Sequence, residues 1–325
     1  MPASRFSVVI CAYTADRLEQ IKEAAGSVRA AGRDAEIILV VDHNPALYKL
    51  LVAELPGVTV TENAEASGLS GARNTGVALA QGEIVAFLDD DATAEPGWLE
   101  HLEAAYADPD VTGVGGLTVP RWETSKPGWF PEEFYWVIGC NYLGMPASGQ
   151  RVRNLIGANM SFRREAFQIA GGFRSDMGRT ASGRPLGCEE TEFCIRLGQR
   201  SPGAVLTTEY RAVARHLVPA SRCRPGYFLS RCFAEGVSKA RVSTMVGSDD
   251  GLSAERSYTT RTLPLGVLRG LGGALRGDAA GLGRAGAIVA GLAATVAGYA
   301  AGQLARVRSL RDKTDKPDII MVKSS

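Results

Sequence analysis

Three adjacent aspartates, Asp89, Asp90 and Asp91, directly follow a short apolar run that ends at Leu88. Adjacent carboxylates repel one another, so the triplet needs a cation or hydrogen-bond donors to compensate its charge. In strand geometry Asp89 and Asp91 point to one side and Asp90 to the other. Two carboxylates on one side can bind a divalent cation that also binds phosphate oxygens. A solvated acidic turn is the alternative interpretation, but the position after a buried strand favours a metal site.

A second group of carboxylates, Glu189, Glu190 and Glu192, lies in the segment that begins at Gly187. On a helix Glu189 and Glu192 share a face, whereas Glu190 projects elsewhere. One of these glutamates could act as a general base. Glutamates in a first turn also interact favourably with the helix dipole, which is the structural alternative.

The elements that carry these side chains alternate between strand and helix. Short apolar runs rich in Val and Ile predict four strands, Phe6–Cys11, Glu36–Val41, Val58–Val60 and Glu83–Leu88. Helical spacing begins at Leu18, and a second helix is predicted over Gly71–Gln81. This order predicts an α/β fold with a parallel sheet and helices on both faces. Ligands of such sheets bind beyond the carboxyl ends of the strands, where the aspartates lie.

The middle of the chain continues with predicted helices and strands around one unusual segment. We expect helices over Trp98–Asp110, Arg164–Ala170 and Glu189–Leu197, and strands over Gly113–Val119 and Ala212–Val218. The segment Pro120–Pro146 is rich in Pro and Trp and has little periodicity. It predicts either an ordered loop that lines a pocket or an aromatic core that caps the sheet.

The last part of the chain contains a candidate membrane element. No charged residue lies between Arg284 and Arg306. As a helix, this uncharged segment would be just long enough to cross a bilayer core of about 30 Å. The segment is rich in Ala and Gly, so insertion is only marginally favourable, and a packed soluble helix is the alternative. We expect membrane contact, and the sequence leaves open whether the helix spans the bilayer or lies on it.

The flanks of this element are less regular. Thr244–Thr260 is polar and predicts a linker, Thr262–Asp278 predicts a helix in the membrane interface, and Arg308–Ser325 predicts a disordered end. Gly298 and Gly302 form a G-x-x-x-G pair, a pattern too common to predict dimerisation.

The overall charge and the cysteines exclude some classes of function. Lys and Arg number 36 against 35 Asp and Glu, and the net charge of +1 predicts no nucleic-acid partner. Six scattered cysteines without metal-ligand spacing predict reduced thiols in a cytosolic compartment.

Several motifs occur together in a fixed order along the chain: Val8–Tyr13, the strand end at Asp42, Gly68–Asn74, Asp89–Asp91 and Glu189–Arg196. In this combination the chain resembles the inverting glycosyltransferases of family two, which have the GT-A fold. The resemblance covers about residues 5–235 and leaves the tail outside. We therefore expect a nucleotide-sugar-binding subdomain over 1–120, an acceptor-binding and catalytic subdomain over 121–240, and a helical membrane-associating tail over 241–325.

The resemblance implies a nucleotide site at the carboxyl ends of the first strands. Tyr13 and Asp42 would lie around the base of a uridine-type nucleotide. Arg73 would lie near the ribose and the phosphates, and Asp89 would hold the ribose. The implied donor is a nucleotide-diphosphate sugar.

The resemblance also implies the metal and the base. Asp91 would coordinate Mg²⁺ or Mn²⁺, with His216 as a further ligand that some members supply. Glu190 takes the place of the usual base, where the family has Asp, so its reach is one methylene longer. Asn159 and Glu189 would lie near the donor or acceptor sugar.

These roles imply a single in-line displacement in which the base takes the proton of the acceptor hydroxyl. Arg222, Arg224 and Arg231 could close over the diphosphate or meet an acceptor phosphate; each singly could equally be a surface arginine. The chain also resembles enzymes that add glucuronate to glucosyl-dolichyl phosphate. That resemblance suggests a polyprenyl-linked acceptor and a location at the cytoplasmic face of the membrane.

Two other classes of function are alternatives to a glycosyltransferase. A dinucleotide-dependent oxidoreductase needs G-x-G-x-x-G after the first strand, where this chain has Cys11–Asp16. A non-catalytic nucleotide-sugar-binding or membrane scaffold protein would keep the same fold. The presence of both Asp91 and Glu190 favours an enzyme.

Overall fold

The computed structural model describes residues 5–31, 34–177, 187–247, 251 and 253–314. Its centre is one eight-stranded sheet with the order β3-β2-β1-β4-β7-β6-β8-β5. The strands are β1 (Phe6–Ala12), β2 (Ala35–Val41), β3 (Thr59–Glu62), β4 (Ile84–Leu88), β5 (Ala92–Ala94), β6 (Val111–Trp122), β7 (Asn159–Arg163) and β8 (Val205–Val218). Strands β1 to β4 pair in parallel, as predicted. Strand β7 is antiparallel to β4 and β6, and β5 is antiparallel to β8, so the complete sheet is mixed.

Helices cover both faces of the sheet and form the tail. They are α1 (Leu18–Ala30), α2 (Pro45–Glu54), α3 (Leu69–Leu79), α4 (Trp98–Ala105), α5 (Glu165–Ala170), α6 (Glu189–Arg200), α7 (Pro225–Val246), α8 (Ser253–Ser257), α9 (Leu263–Leu275) and α10 (Ala280–Thr314). Alternate residues of β1 serve the two faces. Val8 and Ile10 pack in the cluster that contains Ile21 of α1, whereas Val9 packs with Ala72 of α3. This period of two explains why the strand is apolar throughout.

Both interpretations of the segment Pro120–Pro146 are correct. It contains a 3₁₀ segment, Glu132–Ile138. Phe130 and Phe134 are fully buried and pack against Phe228 of α7, so an aromatic core does form. Phe134 also lines a pocket, together with Trp136 and Tyr142.

The tail packs against the catalytic part of the chain through glycines. A Cβ at Gly298 would overlap the backbone oxygen of Phe233, and a Cβ at Gly302 would come 2.7 Å from the Cβ of Ala240. Because both contacts are with α7, the G-x-x-x-G pair serves a close helix crossing within the chain. A Cβ at Gly236, on the α7 side, would overlap the backbone of α10 in the same way.

The predicted linker of the tail is wrong, and the predicted disordered end differs from the structure over residues 308–314. The predicted linker Thr244–Thr260 begins inside α7 and continues as α8 and a π-helical turn, Tyr258–Thr262. The predicted disordered end is helical as far as Thr314, and residues 315–325 lie outside the described part. Among the described residues one helix, Ala280–Val307, is long and apolar enough to cross a membrane by length and composition, with 28% of its most apolar window buried.

The predicted subdomain boundaries at 120 and 240 stay predictions. Strand β6 runs through the first position and α7 through the second.

All six cysteines are free.

Candidate active site

The acidic triplet forms the turn between β4 and β5, at the carboxyl end of the parallel strands. Strand β5 pairs with β8 so that Ala92 lies opposite His216. This pairing places the Nε2 atom of His216 2.8 Å from Asp91 Oδ1 and 3.9 Å from Asp89 Oδ2. One ligand atom from each of Asp89, Asp91 and His216 lies within 4.8 Å of the others.

The surroundings of His216 fix its orientation. Its Nδ1 lies 2.8 Å from the carbonyl oxygen of Ile138, to which it donates a hydrogen bond, so Nε2 faces the carboxylates. Burial opposes the charged imidazolium, but Asp91 outweighs burial and raises the pKa of His216 well above its usual range. The same pairing, with help from Arg17 and Arg222, overcomes burial and lowers the pKa of Asp91.

The donor set of this cluster fits a divalent cation. Two carboxylates and one imidazole combine oxygen and nitrogen ligands suited to Mn²⁺ and tolerated by Mg²⁺. An imidazole that ligates a metal commonly donates its other N–H to a backbone carbonyl, as His216 does. Three arginines also neighbour the two aspartates: Arg17 and Arg222 lie at 3.1 and 3.4 Å from Asp91, and Arg73 lies at 3.7 Å from Asp89.

The structure adds Arg17 to the residues found from the sequence. Its guanidinium lies 2.7 Å from Asp90 and 3.1 Å from Asp91, and it also lies over the ring of Tyr13 at 5.5 Å. Burial and the neighbouring Asp91 raise the pKa of Asp90 to about 7. Arg222 reaches the same carboxylate of Asp91 at 3.4 Å. No motif distinguishes Arg17 in the sequence, because its proximity depends on how the turn after β1 folds back.

Asp42 lies at the edge where the nucleotide base was predicted. Its carboxylate accepts hydrogen bonds from Asn63 Nδ2 at 2.7 Å, the backbone N–H of Gly68 at 2.9 Å and Ser67 Oγ at 3.1 Å. Burial raises the pKa of Asp42, but these bonds outweigh it and lower the pKa. Asp42 therefore holds the glycine-rich turn before α3. Tyr13, directly after β1, is half-exposed, and its backbone oxygen accepts a hydrogen bond from Asn44 Nδ2 at 3.1 Å.

Arg73 connects the acidic turn to the start of α6. It is buried, and its Nη1 lies 2.9 Å from Glu189 while its Nη2 lies 3.7 Å from Asp89 and donates to the Gly157 oxygen at 3.1 Å. The second carboxylate oxygen of Glu189 is buried and has no hydrogen-bond partner among the described residues. Glu189 is thus an ion-pair partner of Arg73 with one oxygen still unsatisfied.

Glu190 and Asp89 line the same pocket, which has a volume of about 250 Å³. Burial, and then the neighbouring Glu189, raise the pKa of Glu190 to about 8, whereas Arg73 lowers it. Residues 154–158 and the start of α6 form another part of the wall. The aromatic segment, charged side chains and the tail contribute Phe134, Trp136, Tyr142, Arg153, Arg231, Glu235, Lys239, Glu255, Tyr258, Leu263, Leu292 and Thr295. A carboxylate with a raised pKa in a partly apolar pocket is suited to proton transfer near neutral pH.

Asn159, which was predicted to lie near a sugar, does not line this pocket. Asn159 is fully buried, and its Oδ1 accepts from Trp98 Nε1 at 2.9 Å. Its Nδ2 donates to the backbone oxygens of Ala212 at 3.0 Å and Leu117 at 3.3 Å. Because both atoms of its amide are used inside the core, Asn159 joins strands of the sheet rather than facing a ligand. An asparagine that joins strands and one that binds a sugar look alike in the sequence, because both roles use the same amide group.

The three candidate arginines of the catalytic region have different positions. Arg222 reaches Asp91, and Arg231 lines the pocket, as a role at an anionic ligand would require. Arg224 is exposed at the beginning of α7.

Comparison with known proteins identifies the family. Residues 7–169 match the model of glycosyl transferase family 2. A relative from Haloferax volcanii, described as a glucosyl-dolichyl phosphate glucuronosyltransferase, is 35% identical over 253 residues, which are 76% of this chain and 80% of the relative. The chain belongs to glycosyltransferase family 2. The absence of a dinucleotide motif and this membership together dismiss the oxidoreductase alternative.

More distant matches agree with this membership. A succinoglycan biosynthesis protein of Rhizobium meliloti is 25% identical over 246 residues, 72% of this chain and 73% of that protein. A mannosyltransferase from Pyrobaculum calidifontis, solved with GDP-Man and Mn²⁺, has a TM-score of 0.56 at 19% identity and covers 90% of this chain and 87% of its own. The GT-A fold predicted from the sequence is confirmed.

Proposed function

We propose that this family 2 glycosyltransferase transfers a sugar, with inversion, from a nucleotide-diphosphate sugar to a hydroxyl of a polyprenyl-phosphate-linked glycan. A UDP-sugar is the proposed donor. The observation that carries the proposal is the single pocket lined by both Asp89 of the acidic turn and Glu190, whose pKa is raised to about 8. A donor site and a proton acceptor facing one cavity are what a glycosyl transfer needs.

The donor would lie at the carboxyl ends of β1, β2 and β4. Tyr13 and Asp42 would lie at the base, and Arg73 would support Asp89 at the ribose. Asp91 and His216 would hold Mg²⁺ or Mn²⁺, which when bound would supply positive charge at the diphosphate.

Glu190 would take the proton of the acceptor hydroxyl as its oxygen attacks the anomeric carbon. The electrons of the broken C–O bond would leave with the nucleotide diphosphate. Arg17 and Arg222 are fixed beside Asp91, and their positive charge would favour the developing charge of the leaving group. Glu189 would keep Arg73 in place through its ion pair, and its unsatisfied oxygen would be available to a sugar hydroxyl.

The acceptor and the location are supported by the relative and by the tail. The Haloferax relative is described as a glucosyl-dolichyl phosphate glucuronosyltransferase, a description that names a lipid-linked sugar. The pocket wall carries three cations, Arg153, Arg231 and Lys239, beside Glu235 and Glu255, and arginine is suited to binding the phosphate of an acceptor. Arg153 and Lys239 pair with Glu255. The apolar helix α10 supports a site of action at the cytoplasmic face of a membrane.

Calorimetric titration of the full chain with UDP, in Mn²⁺ and then in EDTA, tests the donor site. We expect metal-dependent binding that Asp91→Ala abolishes and Glu190→Gln leaves largely intact. If the Asp91→Ala chain still binds UDP in a metal-dependent way, the acidic turn is not the metal site. If UDP does not bind at all, GDP and dTDP come next.

A transfer assay tests the reaction itself. The full chain is incubated with UDP-glucuronate or other UDP-sugars and a polyprenyl-phosphate-linked glucose acceptor, and products are followed by mass spectrometry. Glu190→Gln should reduce turnover by about 10²–10⁴-fold. Saturable nucleotide binding without transfer or donor hydrolysis, across many donors and acceptors, would favour the non-catalytic alternative.

A further inference from the structure

The tail exposes a continuous series of apolar side chains on two helices that pack against each other. From Leu282 to Leu304 in α10 these side chains are spaced by seven or eight residues, which keeps them on one face of the helix, and Val307 follows Leu304 at helical spacing. The exposed large apolar residues are Leu265, Leu268, Leu271 and Leu275 on α9, and Leu282, Val289, Val296, Leu304 and Val307 on α10. We call these nine residues the apolar surface. Leu275 is 90% exposed.

The opposite faces of the same helices are already used. Gly266, Gly270 and Ala285 lie in the contact between α9, α10 and the 3₁₀ segment Glu132–Ile138. Further along α10, Gly298 and Gly302 lie against α7. Helix α10 is therefore apolar on both faces. One face packs closely against the rest of the chain, and the other forms part of the apolar surface.

The packing against α7 decides how a membrane could meet this helix. If α10 crossed the bilayer in this arrangement, the part of α7 packed on it would enter the hydrocarbon as well. That part carries Glu235 and Lys239, and Lys239 is paired with Glu255 of α8 and with Glu235 at 3.3 Å. Charged side chains are rare and costly in the hydrocarbon of a bilayer, and α7 would carry two of them there. The contacts of α10 therefore favour a helix that lies on the membrane over one that crosses it.

The charge of the tail identifies the partner. Residues 255–307 contain six arginines and two carboxylates, a surplus of four positive charges, and no lysine. Arg261, Arg276 and Arg306 are exposed around the apolar surface. A second copy of the chain would bring two such positive sets together, whereas a bilayer with anionic lipids offers both apolar depth and negative headgroups.

We infer that the apolar surface docks in the plane of an anionic lipid bilayer, with α9 and α10 lying in the interface and neither crossing it. The inner sides of the same helices, at Leu263 and Leu292, line the pocket that contains Glu190. About 10 Å, one helix diameter, therefore separates the bilayer from the acceptor side of the pocket. This link to the acceptor rests on the proposed function; the docking surface itself does not.

Vesicle co-sedimentation of the full chain without nucleotide tests the surface. We expect binding to phosphatidylcholine vesicles that contain 30 mol% phosphatidylglycerol and at least tenfold weaker binding to phosphatidylcholine alone. The double variant Leu268→Gln, Leu275→Gln should lose at least tenfold in vesicle binding. Leu79→Gln, which changes a leucine that is 43% exposed on α3, is the matched control and should bind like the unchanged chain. Equal loss in both variants, or no binding by the unchanged chain, would overturn the inference.

Depth measurement separates lying from crossing. Cysteines introduced singly as Leu282→Cys, Val296→Cys and Leu304→Cys are labelled with a fluorophore, in a chain whose partly exposed Cys11 and Cys223 are Ser. Quenching by lipids labelled at known depths should place all three at one shallow depth, about 5–10 Å below the headgroups. A crossing helix would put the first and last probes about 33 Å apart along the normal, with the middle one deep. That depth pattern would refute in-plane docking. Dimerisation of the chain in the absence of vesicles, abolished by Leu268→Gln, would refute it as well. Because no donor or acceptor is present, a failed transfer reaction leaves these results unaffected.

Discussion

The raised pKa of Glu190 predicts an alkaline dependence of the reaction. Only the carboxylate form can accept the proton of the acceptor hydroxyl, so activity should increase as pH rises through this pKa. An exposed glutamate would be fully ionised from about pH 6 upward. Burial and Glu189 move the pKa of Glu190 to about 8, so most of the free enzyme carries a protonated Glu190 at neutral pH.

The size of the effect follows from the ionised fraction. With a pKa of about 8, about one tenth of Glu190 is ionised at pH 7 and about nine tenths at pH 9. The value of kcat/KM reports ionisations of the free enzyme and should therefore rise about tenfold over this range. At saturating substrates kcat reports the complex instead, and its profile should be measured separately.

The variant Glu189→Gln tests the cause of the shift. It removes the second-largest contribution that raises the pKa of Glu190 and leaves Arg73, which lowers it, without its strongest partner. The acidic limb of the kcat/KM profile should move to lower pH, while burial keeps its midpoint above 4.5. The assay is release of the nucleotide diphosphate, coupled to acceptor product, with Mg²⁺ as the cation so that it stays in solution at high pH. A profile that is flat or falls between pH 7 and 9 in the unchanged chain would refute the role of Glu190 as base.

Three further predictions concern the metal site, the buried ion pair and the tail. Asp91→Asn should weaken Mn²⁺-dependent nucleotide binding at least tenfold in calorimetry; unchanged affinity would contradict the ligand assignment. Arg73→Met should lower the free energy of unfolding by about 3 kcal/mol, because it removes one partner of a buried ion pair and leaves the charge of Glu189 uncompensated. Urea unfolding measures this change, and a value below about 0.5 kcal/mol, typical of an exposed site, would contradict it. Gly298→Ala should destabilise the chain because its Cβ overlaps a backbone oxygen of α7, whereas Gly286→Ala, with nothing within 4 Å, should stabilise it by up to about 1 kcal/mol. Equal thermal unfolding midpoints for these two variants would show that the close helix crossing is absent.

Local pattern alone predicted the strands that carry the site. Phe6–Cys11 and Glu83–Leu88 were predicted from apolar runs, and β1 and β4 occupy them within one residue at each end. A strand buried on both faces must be apolar throughout, so the signal is strong and local. The position of Asp89–Asp91 after β4 then followed directly, as did the start of α6 at Glu189.

The tail shows where local pattern misleads. The polar stretch Thr244–Thr260 predicted a linker, yet Glu255 within it pairs with Arg153 at 2.8 Å and with Lys239. Polar and charged residues are typical both of an exposed linker and of a helix that is held by ion pairs. Composition does not distinguish these two situations. Gly298 and Gly302 likewise needed a partner helix before their role could be read.

The sequence by itself determined the family, the α/β fold and the two groups of carboxylates, because each is encoded in residues that are neighbours along the chain. Only the tertiary structure decided which distant groups meet these carboxylates. His216 reaches Asp91 because β8 pairs with β5, and Arg17 reaches it because the turn after β1 folds back. Asn159, with a polar side chain typical of a sugar site, was instead taken into the core by three long-range hydrogen bonds. Such contacts depend on how elements pack across the sheet, and no periodicity within one segment records that packing.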